Sequence, residues 1–245
     1  MDNPDVTFIC RGRYRTLELR AVRIEGVHVP AVKVRQMRIS QEREAPTRLH
    51  GVWVTSLEET ALDFACRRHP LEAFVAVSMI MRRLVGFDRF QIQDSRQRGE
   101  RLRGHLLDML AQRKGARGRR RAQHILEMAD PGCESIGECA LVWILLTIAP
   151  ELPVTQVEIH AEGSRFFADV ALPGLRIIFE FDGVGKMGRT EREVREALRR
   201  QLRRQEALER QGWRVVRVRW EDLREPDALR VRLCTELGWQ GRMAF

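Results

Sequence analysis

A chain of 245 residues, 44% apolar and 31% charged, holds one large globular domain or two small ones, with ample core either way. Its formal charge of +9 and isoelectric point near 10.3 point to an anionic partner, most often nucleic acid. Five scattered cysteines without a C-x-x-C spacing argue against a zinc site or disulfide framework, and the longest apolar run, Ala140 to Ile148, is too short to span a bilayer.

Residues 5–55 read as strands, with Leu17, Leu19, Val27, Val29, Val32 and Val34 in short alternating runs broken by Gly26 and Pro30. Ser56-Leu-Glu-Glu59 matches a capping box opening a helix through Ala65, and a second, buried helix is expected over Leu71–Leu84. Asp88 is suited to cap a short third helix. From Gln93 to Arg121 the chain turns polar and basic, densest at Arg113-Lys-Gly-Ala-Arg117-Gly-Arg119-Arg120-Arg121. That cluster reads either as a solvated linker or helix face, or as a phosphate-contacting patch. Helix continues over Ala122–Met128 and Asp130-Pro-Gly132 ends it, so the domains are expected at 1–130 (α+β, with a helical, basic linker region) and 131–245.

The second half has a clear order of elements. Ser135 caps a helix to Ile148, then strands follow over Val154–His160, Arg165–Leu172 and Leu175–Asp182, the last two joined at Pro173-Gly174. A charged helix covers Thr190–Arg210 and ends before Gly212, a strand covers Trp213–Trp220, and a helix covers Asp227–Leu237. In the charged helix, Val194, Leu198 and Leu202 form the stripe expected to face the sheet, extended by Leu208. This is an α/β (α+β) class fold, a meander plus crossover helix giving a mixed sheet flanked by helices.

Strand periodicity selects the candidate acids. Ile178, Glu180 and Asp182 share one face, and pairing about Pro173-Gly174 brings Asp169 and Glu180 together at one edge. Hard oxygen ligands gathered that way suit magnesium or manganese, which polarise phosphoryl oxygens and acidify bound water. Glu138 is either a third acid or simply the closing member of the Ser135 capping box. Lys186 is either a solvent-facing loop residue or a cation that orients the attacking water. Only three of the 43 basic residues are lysine (Lys33, Lys114, Lys186), so phosphate contact falls chiefly to arginine, whose planar fork suits it.

The order helix-Glu138, strand-Asp169, strand-Glu180, Lys186 resembles the PD-(D/E)XK nuclease superfamily. Gln156 … Phe167-Ala-Asp169 … Phe179-Glu-Phe-Asp-Gly183 … Arg204-Gln-Glu-Ala-Leu208 … Gly-Trp-Arg-Val-Val-Arg217 … Trp220 is similar to domains related to the very-short-patch repair endonuclease, over roughly residues 133–240. The resemblance implies a restriction-endonuclease-like core, with a divalent cation held by Asp169 and Glu180, Glu138 assisting, and a basic contact at Arg204. Asp182 stands where the family's lysine usually falls, so Lys186 would substitute from the loop. Gly51-Val-Trp-Val-Thr-Ser-Leu-Glu-Glu-Thr-Ala-Leu-Asp63 resembles the middle segment of AbiEi-type antitoxins, which usually begin with a winged helix; no room for one is expected before Asp5. The expected function is a cytoplasmic, magnesium- or manganese-dependent DNA endonuclease with no membrane partner, in phage defence, toxin–antitoxin function or DNA repair. DNA contact is expected from Arg117, Arg119, Arg120, Arg121 and Arg204. The alternative is a non-catalytic DNA-binding antitoxin or regulator on a decayed nuclease fold.

Overall fold

Short valine- and leucine-rich runs build the first of two units. In the computed structural model, which describes residues 6–10, 17–24, 26–38, 46–182 and 191–238, the chain divides into 1–45 and 46–245. The boundary expected at 130/131 therefore lies inside the second unit. The first holds β1 (Val6–Cys10), β2 (Leu17–Leu19), β3 (Val22–Ile24), β4 (Val27–Val29) and β5 (Val32–Arg38). β5 pairs in parallel with β1 and antiparallel with β2, while β3 and β4 pair antiparallel about Gly26, whose φ of +81° suits glycine.

The second unit opens with a hairpin, β6 (Thr47–Leu49) and β7 (Val52–Val54), followed by α1 (Leu57–Arg67) and α2 (Pro70–Val85). Ser56 caps α1 by accepting the Glu59 N–H at 3.1 Å, and Gly86 ends α2 in the left-handed conformation. The region expected as a basic linker is a packed 21-residue helix, α3 (Ile92–Gln112), with Ser95, Gly99, Leu106 and Leu110 buried, followed by α4 (Arg119–Met128). Next come α5 (Ile136–Ile148), β8 (Val154–Ala161), β9 (Ser164–Leu172), β10 (Ile177–Asp182), α6 (Glu191–Arg210), β11 (Arg214–Arg219), α7 (Trp220–Arg224) and α8 (Pro226–Glu236). The sheet order is β11-β10-β9-β8: an antiparallel meander, with β11 parallel to β10 after the α6 crossover. The fold is mixed α/β, with helices on both faces of a mixed sheet.

The main core joins Leu62, Phe74 and Met81 of the first helices to Leu141 and Leu145 of α5, Phe179 of β10 and Leu233 of α8. A smaller core on the other face gathers Ile159, Ala168, Ala171, Ile178 and Leu208. One member of the stripe expected on α6 is corrected here: Leu202 is 58% exposed, whereas Leu208 is buried as expected, with Ala207 beside it. The side chains of Val194 and Leu198 lie outside the described residues.

Arginine holds the helical layer together. Arg121 donates to the Cys66 carbonyl near the end of α1, and Arg98 to Val85 and Gly86 at the end of α2. Arg103 donates to Leu126, Glu127 and Ala129 at the end of α4. Each guanidinium fills carbonyls that a helix terminus leaves without an intrahelical donor. Arg113, in the basic cluster, is half-buried and pairs with both Glu59 and Asp63.

Gly137 sets how closely α5 approaches the sheet, since a Cβ there would lie 2.1 Å from the Phe181 ring. Alanine in place of a helical glycine ordinarily gains about 1 kcal/mol. Overpacking costs about 1–3 kcal/mol and outweighs it. Gly137→Ala is therefore expected to lower the urea midpoint; an unchanged or raised midpoint would show that the contact yields freely.

Candidate functional site

Two local structures bring Glu138 and Asp169 into electrostatic contact. Ser135 begins α5 by accepting the Glu138 N–H at 3.2 Å, and the Glu138 carboxylate accepts the Ser135 hydroxyl at 2.9 Å and the Glu134 N–H at 2.7 Å. Ser135 is a real helix cap, with the Glu138 carboxylate turned back to the Ser135 hydroxyl and the Glu134 N–H, and Glu138 is only 3% exposed. Asp169 comes from β9, whose register against β10 runs Ile177 to Leu172, Ile178 to Ala171 and Phe179 to Val170. The paired register ends there, one residue short of Asp169 and Glu180. The Asp169 carboxylate accepts the Phe181 N–H at 2.9 Å. Burial first, and then the Asp169 charge, push the Glu138 carboxyl up to about 7, against the opposing pull of the Glu134 and Ser135 bonds.

Glu180 is committed elsewhere. It pairs with Arg204 of α6 at 2.7 Å, and the same Arg204 amino group donates to the Phe167 carbonyl at 2.5 Å. Asp182 pairs with Arg217 of β11 at 3.3 Å, and Arg217 also reaches Gln205. These polar side chains of α6 meet the acids of β10, so Arg204 is a helix-to-sheet contact and Asp182 is part of an ion pair. Arg217 was not selected from the sequence as a site residue; its alternation with Glu180 across a parallel pair was the available signal.

Gln156 is a second residue that received no role from the sequence. It is 1% exposed with φ of +48°, and its Nε2 finds no hydrogen-bond partner among the described residues. An amide held in the left-handed region with an unmet donor is costly on both counts. By the β8–β9 register it sits opposite Asp169.

The hard, anionic donors Glu138 and Asp169 suit magnesium or manganese, and a divalent cation would relieve the repulsion that raises Glu138. Among the described residues, no three Asp, Glu, His or Cys side chains are gathered tightly enough to hold an ion. Lys186 lies outside the described residues. Arg117, Arg119 and Arg120 are exposed around the start of α4, and Arg121, also exposed, bonds Cys66. No helix among the described residues is long and apolar enough to cross a membrane.

The chain is similar to two uncharacterized proteins of Mycobacterium tuberculosis, from strains CDC 1551 / Oshkosh and ATCC 25618 / H37Rv. Each is 28% identical over 144 residues, 58% of this chain, and the match spans about half (51%) of each relative's length. No family model matches the chain, and no solved structure does.

The Glu138 carboxyl has a measurable consequence. With a folded value near 7 against an ordinary 4.5, the folded state binds more protons between those values, so stability falls as pH rises through that window. The loss amounts to at most about 3 kcal/mol. Urea midpoints at pH 5 and pH 8 are expected to fall further for wild type than for Glu138→Gln. An equal pH response in both would remove the repulsion argument.

Proposed function

We propose that this chain is a cytoplasmic DNA endonuclease of the PD-(D/E)XK type, dependent on magnesium or manganese. The observation that carries the reading is the placing of two acids by one residue: Asp169 bonds the Phe181 N–H while Gly137 packs on the Phe181 ring, which sets the buried Glu138 where the Asp169 charge adds to the effect of burial. Asp169 and Glu138 would hold the ion, with Glu180 joining them once Arg204 turns to a phosphate. A bound divalent ion supplies Lewis acidity to a phosphoryl oxygen and a more acidic water. Lys186 would orient the attacking water, and Arg204 would offset phosphate charge. Arg117, Arg119, Arg120 and Arg121 add contacts to the DNA backbone.

The Arg204–Glu180 and Arg217–Asp182 pairs favour a second reading, in which arginine has permanently replaced the cation and the protein binds DNA without cutting it. Supercoiled plasmid separates the two. The nuclease nicks it with magnesium or manganese, EDTA stops the reaction, and Asp169→Ala slows it at least about a hundredfold. Salt-sensitive DNA binding without nicking selects the second reading. Nicking by Glu180→Ala at the wild-type rate removes Glu180 from the site.

A further inference from the structure

An alternating group of arginines and phenylalanines lies beside the acids. Phe90 and Phe167 meet edge to face, with ring centroids 5.4 Å apart at 85°. The Arg89 guanidinium lies 5.5 Å from the Phe90 centroid and 5.6 Å from that of Phe167; Arg165 lies 5.4 and 5.3 Å from the same two rings. Phe90 nevertheless keeps 60% of its surface exposed, and the side chains of Arg89 and Arg165 keep 43% and 45%. An exposed phenylalanine alone would carry no message. Two cations and a second ring around it make a surface with both charge and a π-face.

The turn that presents Phe90 is fixed in advance. The Asp88 carboxylate accepts the Phe90 N–H at 2.8 Å. The buried Ser95 hydroxyl accepts the Asp88 N–H at 2.9 Å and donates to the Asp88 carbonyl at 3.1 Å. A ring held rigid in water costs little further entropy on binding. The arginines are only lightly engaged: Arg89 lies 3.6 Å from Glu134, which Arg82 also pairs at 3.2 Å, and Arg165 lies 3.5 Å from Glu158, which His160 also approaches.

We infer that Phe90, Phe167, Arg89 and Arg165 form a binding surface for single-stranded nucleic acid, the rings stacking an unpaired base and the arginines taking the flanking phosphates. A closed duplex offers base edges and phosphates, and leaves an exposed ring nothing to stack on. An unpaired strand satisfies ring and guanidinium together. Location also fits: Phe167 is two residues before Asp169 on β9, and Glu134, beside Arg89, gives its N–H to Glu138. A strand stacked on Phe90 is thereby led to the acids. As a substrate class, unpaired or frayed DNA rests on the nuclease reading; the binding surface itself does not.

The test uses the full chain in EDTA, with fluorescence anisotropy of a labelled single strand and of its duplex at equal salt. Wild type is expected to bind the single strand at least about tenfold more tightly. Phe90→Ala weakens that binding by about 5–100-fold and duplex binding less than about twofold, while Phe90→Trp restores it. Arg89→Gln combined with Arg165→Gln lowers the salt slope for the single strand by about 1–2. An unchanged melting temperature shows that the variants fold. Equal binding by Phe90→Ala, equal losses on both probes, binding of neither probe, or displacement of the strand by an acidic, aromatic peptide at lower concentration overturns the inference. Phe90-dependent single-strand binding by a protein that never nicks plasmid sustains the surface and removes only the nuclease reading. Nicking that ignores Phe90→Ala, with single-strand binding unchanged, does the reverse.

Discussion

The close approach of α5 to β10 is the constraint from which the site follows. Phe181 carries it twice: its ring sits where a Cβ on Gly137 would go, and its N–H is bonded by Asp169. The other side of the ring's environment is Trp220, edge to face at 5.3 Å, so the ring has little freedom to retreat. With Gly137 pressed against Phe181, the next residue, Glu138, arrives within the field of Asp169. One residue thus ties helix position, through its ring, and carboxylate position, through its backbone N–H, together. A disturbance at Gly137 reaches the acids without touching either, because packed interiors transmit small displacements.

The basic composition has two physical meanings that the sequence does not separate. Arg98, Arg103 and Arg121 spend their donors on helix-terminal carbonyls, and Arg113 is half-buried in ion pairs with Glu59 and Asp63. Their charge serves folding, through bonds that lysine's single ammonium would fill less completely. Arg117, Arg119 and Arg120 are exposed, and Arg89 and Arg165 lie against aromatic rings. Net charge alone therefore overstates the surface available to phosphate.

Local spacing made much of the fold legible. Ser56 with Glu59 and Ser135 with Glu138 mark real helix starts, and Pro173-Gly174 marks the connection about which β9 and β10 pair antiparallel. Features set by distant contacts were not legible. The α6 face toward the sheet carries Arg204 and Gln205 beside Leu208, because it meets Glu180 and the Asp182–Arg217 pair, so an apolar stripe at Leu202 pointed the wrong way. A local pattern that fails where polar groups are buried marks a candidate site. The Phe90 surface was hidden for a different reason: residues 90 and 167 meet only once α3 and β9 are folded together. The 45/46 division was obscured because the strands on either side of it have similar composition.

The Glu180–Arg204 pair carries the tension between the two functional readings. Glu180 is mostly buried and Arg204 partly so, at 13% and 34% side-chain exposure, and the Arg204 Nε finds no acceptor among the described residues. Removing either partner alone strands a charge, whereas exchanging partners does not. A phosphate arriving at the exposed side of Arg204 offers the guanidinium a bidentate acceptor that Glu180, bonded through one nitrogen, does not match. A divalent cation beside Glu138 and Asp169 would offset the charge that Asp169 places on Glu138. In the proposed enzyme, a phosphate that draws Arg204 away would leave Glu180 with one cationic partner fewer and so favour a metal ion beside the acids, coupling substrate and metal binding.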